Sequence, residues 1–357
     1  MRTESLDFLK SLCNTPSPSG YEERIAKVYA DYTKTFADKV ETDRHGNTTA
    51  ILNPDAEQKI MLAGHMDEIG FQVSYIEDEG FLRFRGIGGH DMSIPLGQRV
   101  FIHTDNGPIP GIIGRKPIHL LESTERDKTT PLHDMFIDIG AKKRDEIENE
   151  IMIGDPITYQ WEFEMLRNNR ATARGFDNRV GSFAVAEALR LLKESGSLDS
   201  GVGVYAVATV QEEIGLRGAR TAAHRIGAQS GLAVDVDFAI DHPGVSKSRY
   251  GKCDLGGGPS VTRGANINPV VFRTIMQASK EDEIPVQVSA EPGGTGTDAN
   301  AMQVAGDAMA TGLVGIPLRY MHTPVELLSL DDVENCAKLM AGYCKRVKPE
   351  TTFIPGT

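Results

Sequence analysis

Two adjacent carboxylates at the end of an apolar run are the first residues in this chain that could do chemistry. The run from Val202 to Val210 delivers Gln211-Glu212-Glu213-Ile214-Gly215. It reads as a strand. Where the chain bends at a strand end, neighbouring side chains can serve one cavity in two roles, one holding a metal and the other handling a proton. A Glu-Glu pair is also ordinary solvated surface, so its weight comes from its company. His65 ends an apolar run in Gly64-His65-Met66-Asp67, Asp177 precedes a strongly apolar helix, Asp235 closes Gly231-Leu232-Ala233-Val234, and His322 lies in Arg319-Tyr320-Met321-His322-Thr323-Pro324.

Imidazole nitrogens and carboxylate oxygens suit a borderline dication such as Zn²⁺ or Co²⁺. The five candidates His65, Asp177, Glu213, Asp235 and His322 are too many for one catalytic ion and suit two, provided that one carboxylate bridges. Paired ions about 3.5 to 4 Å apart activate a water and hold the developing oxyanion in amide hydrolysis. Glu212 is then left beside a ligand as the general base. Each residue also has a plainer reading. His65 suits an ordinary hydrogen-bonded partner, Asp177 a helix cap, and Asp235 and His322 turn or loop chemistry. What unites them is position, since each falls where a strand or its following loop would carry it to one sheet edge.

The elements that must position them alternate strand and helix. Leu6, Leu9, Leu12 and Cys13 recur at helical spacing after Thr3 and Ser5, which are expected to cap the start. A second helix spans Tyr21 to about Phe36, and strands at Asn47 to Leu52 and Lys59 to Ala63 lead into His65. A strand that ends in His-x-Asp places the imidazole at the carboxyl edge where open α/β sheets collect ligands. From Phe71 the texture changes to short alternating runs, broken by turn signals at Glu79-Gly80 and Asn106-Gly107. We read residues 71–166 as a small inserted β-barrel. Within it, the polar stretch Glu122 to Thr130 is expected to be a mobile loop. Residues 1–70 and 167–357 form the rest, an α/β domain with a mixed sheet flanked by helices. It includes a helix from Val180 to about Glu194, a helix through His224, a helix from Asn268 to about Asp282, and a closing helix begun by Ser329 as its cap.

Composition narrows the function classes. Forty per cent hydrophobic and 25% charged residues over 357 positions are ordinary for a globular chain of two domains, or one with an insertion. A net charge of -12 without a basic cluster argues against nucleic-acid binding. The four cysteines form no CxxC pair, which speaks against a disulfide scaffold or cysteine zinc site and for a reducing, cytoplasmic setting. No apolar segment is long enough to span a bilayer, and the charged start Met1-Arg2-Thr3-Glu4 lacks a signal-peptide pattern.

The motifs GHMDEIG at 64–70, PLGQRV at 95–100, FIDIGA at 136–141, GFDNRVG at 175–181, VQEEIGLRGA at 210–219, AVDV at 233–236, GTDANA at 296–301 and RYMHTPVE at 319–326 give the chain an end-to-end resemblance to a known family. It resembles the tetrahedral (TET-type) dinuclear-metal aminopeptidases, a family that includes glutamyl and deblocking aminopeptidases and members labelled endoglucanase. The resemblance implies that His65 and Asp235 hold one metal, Glu213 and His322 the other, and that Asp177 bridges. It implies that Glu212 takes the proton of the two-metal-activated water, and that the Asp67 carboxylate orients His65 from behind. It further implies a zinc-peptidase-like catalytic domain, a barrel that drives assembly from dimers to hollow tetrahedral dodecamers, and short peptides with a free N-terminus as substrates. The chain departs from the family pattern at 236–243, where it reads VDFAIDHP, and at His90-Asp91, where tryptophan usually precedes the aspartate. Phe238 and Ile240, with Gly294 and Gly296 of the glycine-rich stretch, are the candidate substrate-pocket residues. Three other readings compete with the aminopeptidase: a dinuclear deacylase or carboxypeptidase of acylated amino acids, a non-catalytic metal-binding scaffold, and a glycoside hydrolase. The last leaves both histidines unexplained.

Overall fold

Strand side chains alternate between faces, and the central runs of this chain are apolar on both, so both sides must be covered. In the computed structural model, which describes residues 1–126 and 128–356, helices α1 (Thr3–Asn14) and α2 (Glu23–Thr33) lead into strands β1 (Lys39–Thr42), β2 (Thr48–Leu52) and β3 (Gln58–His65). The chain continues through β4 (Gly70–Ile76), β5 (Leu82–Ile87), β6 (Arg99–Thr104), β7 (Gly107–Gly114), the single turn α3 (Ser123–Arg126), β8 (Phe136–Asp138) and β9 (Pro156–Tyr159). Next come β10 (Glu164–Leu166), β11 (Arg170–Ala173), α4 (Phe176–Ser195), β12 (Val202–Thr209), α5 (Arg217–Ile226) and β13 (Ser230–Phe238). The last part holds α6 (Lys247–Tyr250), β14 (Ser260–Gly264), α7 (Pro269–Glu281), β15 (Gln287–Glu291), α8 (Asp298–Gln303), β16 (Ala310–Arg319), β17 (Glu326–Ser329) and α9 (Leu330–Cys344).

Among the described residues, 11 strands form one mixed sheet in the order β1-β2-β12-β3-β13-β16-β17-β11-β10, with β14 and β15 attached beside β16. The centre, β12, β3, β13 and β16, is parallel. Alternation divides its side chains as expected. Ile60, Leu62, Val204 and Ala206 join the core with α1, α4 and α9, while Met61, Ala63, Tyr205 and Val207 join that of α5 and α8. Helix α4 lies buried directly on β3, because Gly64 and Gly181 remove the side chains between them. A Cβ on Gly64 would stand 2.3 Å from the carbonyl carbon of Gly181, and Ser182 Oγ donates to the Gly64 carbonyl at 2.9 Å.

The expected caps are corrected by the structure. Arg2, not Thr3 or Ser5, occupies the N-cap of α1, without a side-chain bond, and Ser5 Oγ donates instead to Glu187 at 2.7 Å. Ser329 does sit at the N-cap of α9, yet its side chain makes no capping bond there.

Strands β4-β5-β8-β7-β6-β9 close into a barrel around Phe71, Val73, Leu82, Phe84, Val100, Ile102 and Ile137. The fold is thus a helix-flanked mixed sheet interrupted by a β-barrel. The barrel strands end at Tyr159, since β10 pairs with β11 in the large sheet. The stretch expected to be a mobile loop carries α3, and Asp127 within it lies outside the described residues. Among the described residues, no helix is long and apolar enough to cross a membrane.

His103 on β6 donates to or accepts from Thr158 Oγ1 at 2.8 Å. Burial, with the positive charge of Arg174 second, pushes its imidazole down to about 4. The native state therefore stays neutral at this position while the unfolded chain takes up a proton below about 6.5. Stability is expected to fall as pH drops from about 6.5 towards 4, by up to roughly 3 kcal/mol from this residue. Denaturant melts at pH 7 and 4.5 should show a smaller acid loss in His103→Gln than in wild type; equal losses would refute the assignment.

Candidate active site

Parallel strands in register end together, and that places the site. Thr209 pairs with His65, and Ala233 pairs with Ala63, which brings Asp235 two residues later to the level of His65. Glu212 and Glu213 follow β12, and His322 follows β16. Asp177 follows β11, which is antiparallel to β17 and so runs in the same direction as β16, and stands at the start of α4, where it and Asn178 have non-helical backbone and a cis peptide joins them. Gln211, Leu216, Tyr320 and His322 are all held in left-handed backbone, which costs a non-glycine residue roughly 1 to 2 kcal/mol. Such outliers gather where a side chain must be aimed.

The structure brings all five candidate ligands and Glu212 together. His65 Nε2 lies 3.2 Å from Asp177 Oδ1, 3.7 Å from Glu212 Oε2 and 3.9 Å from Asp235 Oδ1. His322 Nε2 lies 3.3 Å from Asp177 Oδ2 and 3.6 Å from Glu213 Oε2. Two triads result, His65/Asp177/Asp235 and Asp177/Glu213/His322, each with its ligand atoms within 4.8 Å of one another. Asp177 belongs to both and offers a different oxygen to each. Glu212 belongs to neither.

The imidazoles are turned by main-chain carbonyls. His65 Nδ1 lies 3.1 Å from the carbonyl oxygen of Asp67, and His322 Nδ1 lies 2.9 Å from that of Gly89. A carbonyl can only accept, so Nδ1 carries the proton in both rings and Nε2 faces the carboxylates. Behind the His65 ring Asp67 presents both its carbonyl and its carboxylate. Its carboxylate is the more distant group, 3.5 Å from His65 Nδ1, and it accepts the backbone N–H groups of Glu212 at 3.1 Å and Glu213 at 3.2 Å. Asp67 thus aims the imidazole through its carbonyl and fixes both glutamates through its side chain.

Electrostatically, acids outnumber the two imidazoles in the cluster. Burial first, then Asp235, Asp298 and Asp177, push Glu212 up to about 9 against the pull of His65. Burial and Asp177 hold Glu213 and Asp235 well above the usual carboxylate range. Asp177 is the exception: although burial opposes it, hydrogen bonds to His322 and His65 hold it below that range. Burial likewise opposes a charge on His65, yet Glu212, Asp177 and Asp67 raise it well above the ordinary imidazole value. Among the described residues, no Lys or Arg lines the cavity, and Glu213 Oε1 is buried without a hydrogen-bond partner. Buried acids at this density favour bound cations. The donor set fits them: ligand atoms about 2.0 Å from a common tetrahedral ion are about 3.3 Å apart, close to the spacing between Asp177 and each imidazole.

The surrounding cavity, of about 530 Å³, is lined by Gly89, Gly215, Leu216, Val236, Phe238, Gly296, Thr297 and Met321 besides the acids and histidines. Of the four candidate substrate-pocket residues, Phe238 and Gly296 line it. Ile240 and Gly294 do not. Ile240 is buried and lines an adjoining cavity that shares Phe238 and Met321, and Gly294 lies exposed in the loop before α8. Sequence reasoning passed over Gly89, whose only signal was the diglycine Gly88-Gly89 amid short strands, and Glu326, a buried acid just beyond the His322 loop.

Known proteins share this arrangement of elements. A family model for M42 glutamyl aminopeptidase matches residues 46–339. Over 348 residues the chain is 36% identical to a lysyl aminopeptidase of Pyrococcus furiosus, covering 96% of this chain and 97% of that one. It superposes on a TET aminopeptidase from the marine sediment archaeon Thaumarchaeota archaeon SCGC AB-539-E09 with a TM-score of 0.91, at 37% identity and 96% coverage of each chain. A TM-score of 0.84 relates it to the TET1 peptidase of Pyrococcus horikoshii, which can assemble into a tetrahedron or a large octahedral shell, at 32% identity, 96% of this chain and 100% of that one.

Proposed function

Because this chain belongs to the M42 glutamyl aminopeptidase family and is therefore an aminopeptidase, a hydrolase of peptide bonds, we propose that it removes single residues from the free amino end of short peptides with two divalent ions, Zn²⁺ or Co²⁺, and Glu212 as general base. The observation that carries this reading is the pair of triads sharing Asp177, with Glu212 beside them and outside both. His65 and Asp235 would hold one ion, Glu213 and His322 the other, with Asp177 between. Ions of this kind supply Lewis acidity towards a carbonyl oxygen and acidify water.

Each residue's part follows from its surroundings. Glu212, buried beside both triads and belonging to neither, would accept the proton of the attacking water. It then returns that proton to the departing amine nitrogen. Asp67 keeps Glu212 and Glu213 in place through their N–H groups, so the base does not have to be ordered during the reaction. Leu216, Val236, Phe238 and Met321 give the cavity an apolar wall, which suits an uncharged side chain better than a lysyl or glutamyl one. We place the enzyme in the cytoplasm, in keeping with four buried free thiols. We assign residues 71–166 to self-association, from dimer to tetrahedral dodecamer. Exposed Ile112, Ile118, Leu120, Met152 and Ile153 on that insert and the assembly of the Pyrococcus horikoshii relative support this.

The experiment is a panel of aminoacyl-p-nitroanilides assayed after chelation and again after adding Co²⁺ or Zn²⁺. Chelation is expected to abolish hydrolysis and either ion to restore it, with leucyl and methionyl substrates ahead of lysyl and glutamyl ones. Metal-independent turnover would discard the mechanism. Equal turnover of N-acetylated substrates would replace it by a deacylase or carboxypeptidase reading.

A further inference from the structure

Glu326, the first residue of β17, pairs in register with Ala173 of β11 and is 2% exposed. Its Oε2 accepts the backbone N–H of Asp177 at 3.0 Å, and its Oε1 accepts that of His322 at 2.9 Å. These two residues come from segments far apart in sequence, and their side chains meet at 3.3 Å between Asp177 Oδ2 and His322 Nε2. One carboxylate therefore ties together the main chains beneath one imidazole and the shared acid.

We propose that Glu326 is a positioning residue that sets the spacing of Asp177 and His322 before any ion arrives, and so governs the affinity of the ion held by Asp177, Glu213 and His322. The inference rests on the two-ion reading above. A merely structural role would need less. The start of a helix such as α4 is satisfied by one acceptor, which a neutral Ser, Thr or Asn supplies. Burying a carboxylate beside a second acid is costly, and that cost is offset once dications occupy the cluster. Only a carboxylate offers an acceptor oxygen to each of two N–H groups. A glutamine of the same shape offers one oxygen and turns an NH₂ towards the other N–H. His322 has a second restraint, the Gly89 carbonyl on Nδ1, so loss of Glu326 frees its backbone while the ring stays tethered.

The test uses the full-length protein stripped of metal by chelation and titrated with Co²⁺, following its visible absorption and metal content per chain. Wild type is expected to take two ions. Glu326→Gln is expected to bind one of them about 10- to 100-fold more weakly, the usual effect of losing a group that orients a ligand, and the other with a smaller change. The thermal midpoint of its metal-free form should fall by no more than about 1 to 4 °C, the cost of one buried N–H left without an acceptor. Two ions bound at wild-type strength by Glu326→Gln would overturn the proposal alone, whereas no ion bound by wild type would overturn the two-ion reading with it. Should Glu326→Gln not fold, hydrogen exchange of metal-free wild type decides. Slow exchange of the Asp177 and His322 amides supports preorganisation by Glu326, and free exchange until Co²⁺ is added refutes it.

Discussion

Replacing Glu212 by glutamine is expected to lower kcat by roughly 10²- to 10⁴-fold, the range attributable to a positioned general base, with little change in metal content. The substitution is nearly isosteric, and Glu212 lies outside both triads, so the ligand atoms stay in place. What changes is the ability to take a proton. The backbone N–H of Glu212 still reaches Asp67 Oδ1, so the strand end remains ordered. Stability should therefore stay near that of wild type. Single-turnover rates on a leucyl-p-nitroanilide, measured beside metal content per chain, check this. Wild-type kcat in the glutamine variant would remove Glu212 from the chemistry. Loss of both ions would instead make it a ligand.

The second large effect is expected from Gly64→Ala. The added methyl would stand 2.3 Å from the carbonyl carbon of Gly181, 2.6 Å from the nitrogen of Ser182 and 2.7 Å from the Gly181 oxygen. All three are main-chain atoms of a buried helix, so no side chain can turn aside. Either α4 lifts from β3 or β3 shifts at its last residues. Overpacking of this kind costs about 3 kcal/mol, with a fall in thermal midpoint of roughly 4 °C. Activity should fall further than stability, because His65 is the next residue along β3 and Asp177 starts the displaced helix. A melt within about 1 °C of wild type would show that the contact relaxes at little cost.

How much of this was legible depended on whether a signal was carried by side-chain type. The parallel strands are buried on both faces, so they read as apolar runs, and each run that carries a ligand stops at or near a polar residue at the same sheet edge. That made His65, Glu213 and Asp235 visible. The change at Phe71 to short alternating runs marked the barrel because a small closed sheet needs frequent turns. Bonds to main-chain groups left no such trace. Nothing in residue type says that Asp67 meets His65 through its carbonyl, or that Glu326 spans two backbone amides. That Ile240 lines the adjoining cavity and not the one holding the acids left no trace either, because β13 ends at Phe238 and strand alternation beyond it no longer tells which way a side chain turns. Ser5 lost its expected capping role to a buried acid, Glu187, that lies far along the chain.

The Gly88-Gly89 segment, which belongs to the barrel stretch, has a consequence for how this molecule can be rebuilt. Gly88 has φ +78°, and a Cβ there would meet Ile69 Cγ2 at 2.7 Å and Glu213 Cβ at 3.4 Å. The neighbouring Gly89 carbonyl receives the His322 proton. A truncated enzyme lacking residues 71–166 would therefore lose part of its own reaction chamber, and a chimera carrying a foreign barrel would inherit an imidazole free to spin unless the diglycine came with the graft. Any redesign of this insert has to keep unchanged the edge that carries Gly88 and Gly89.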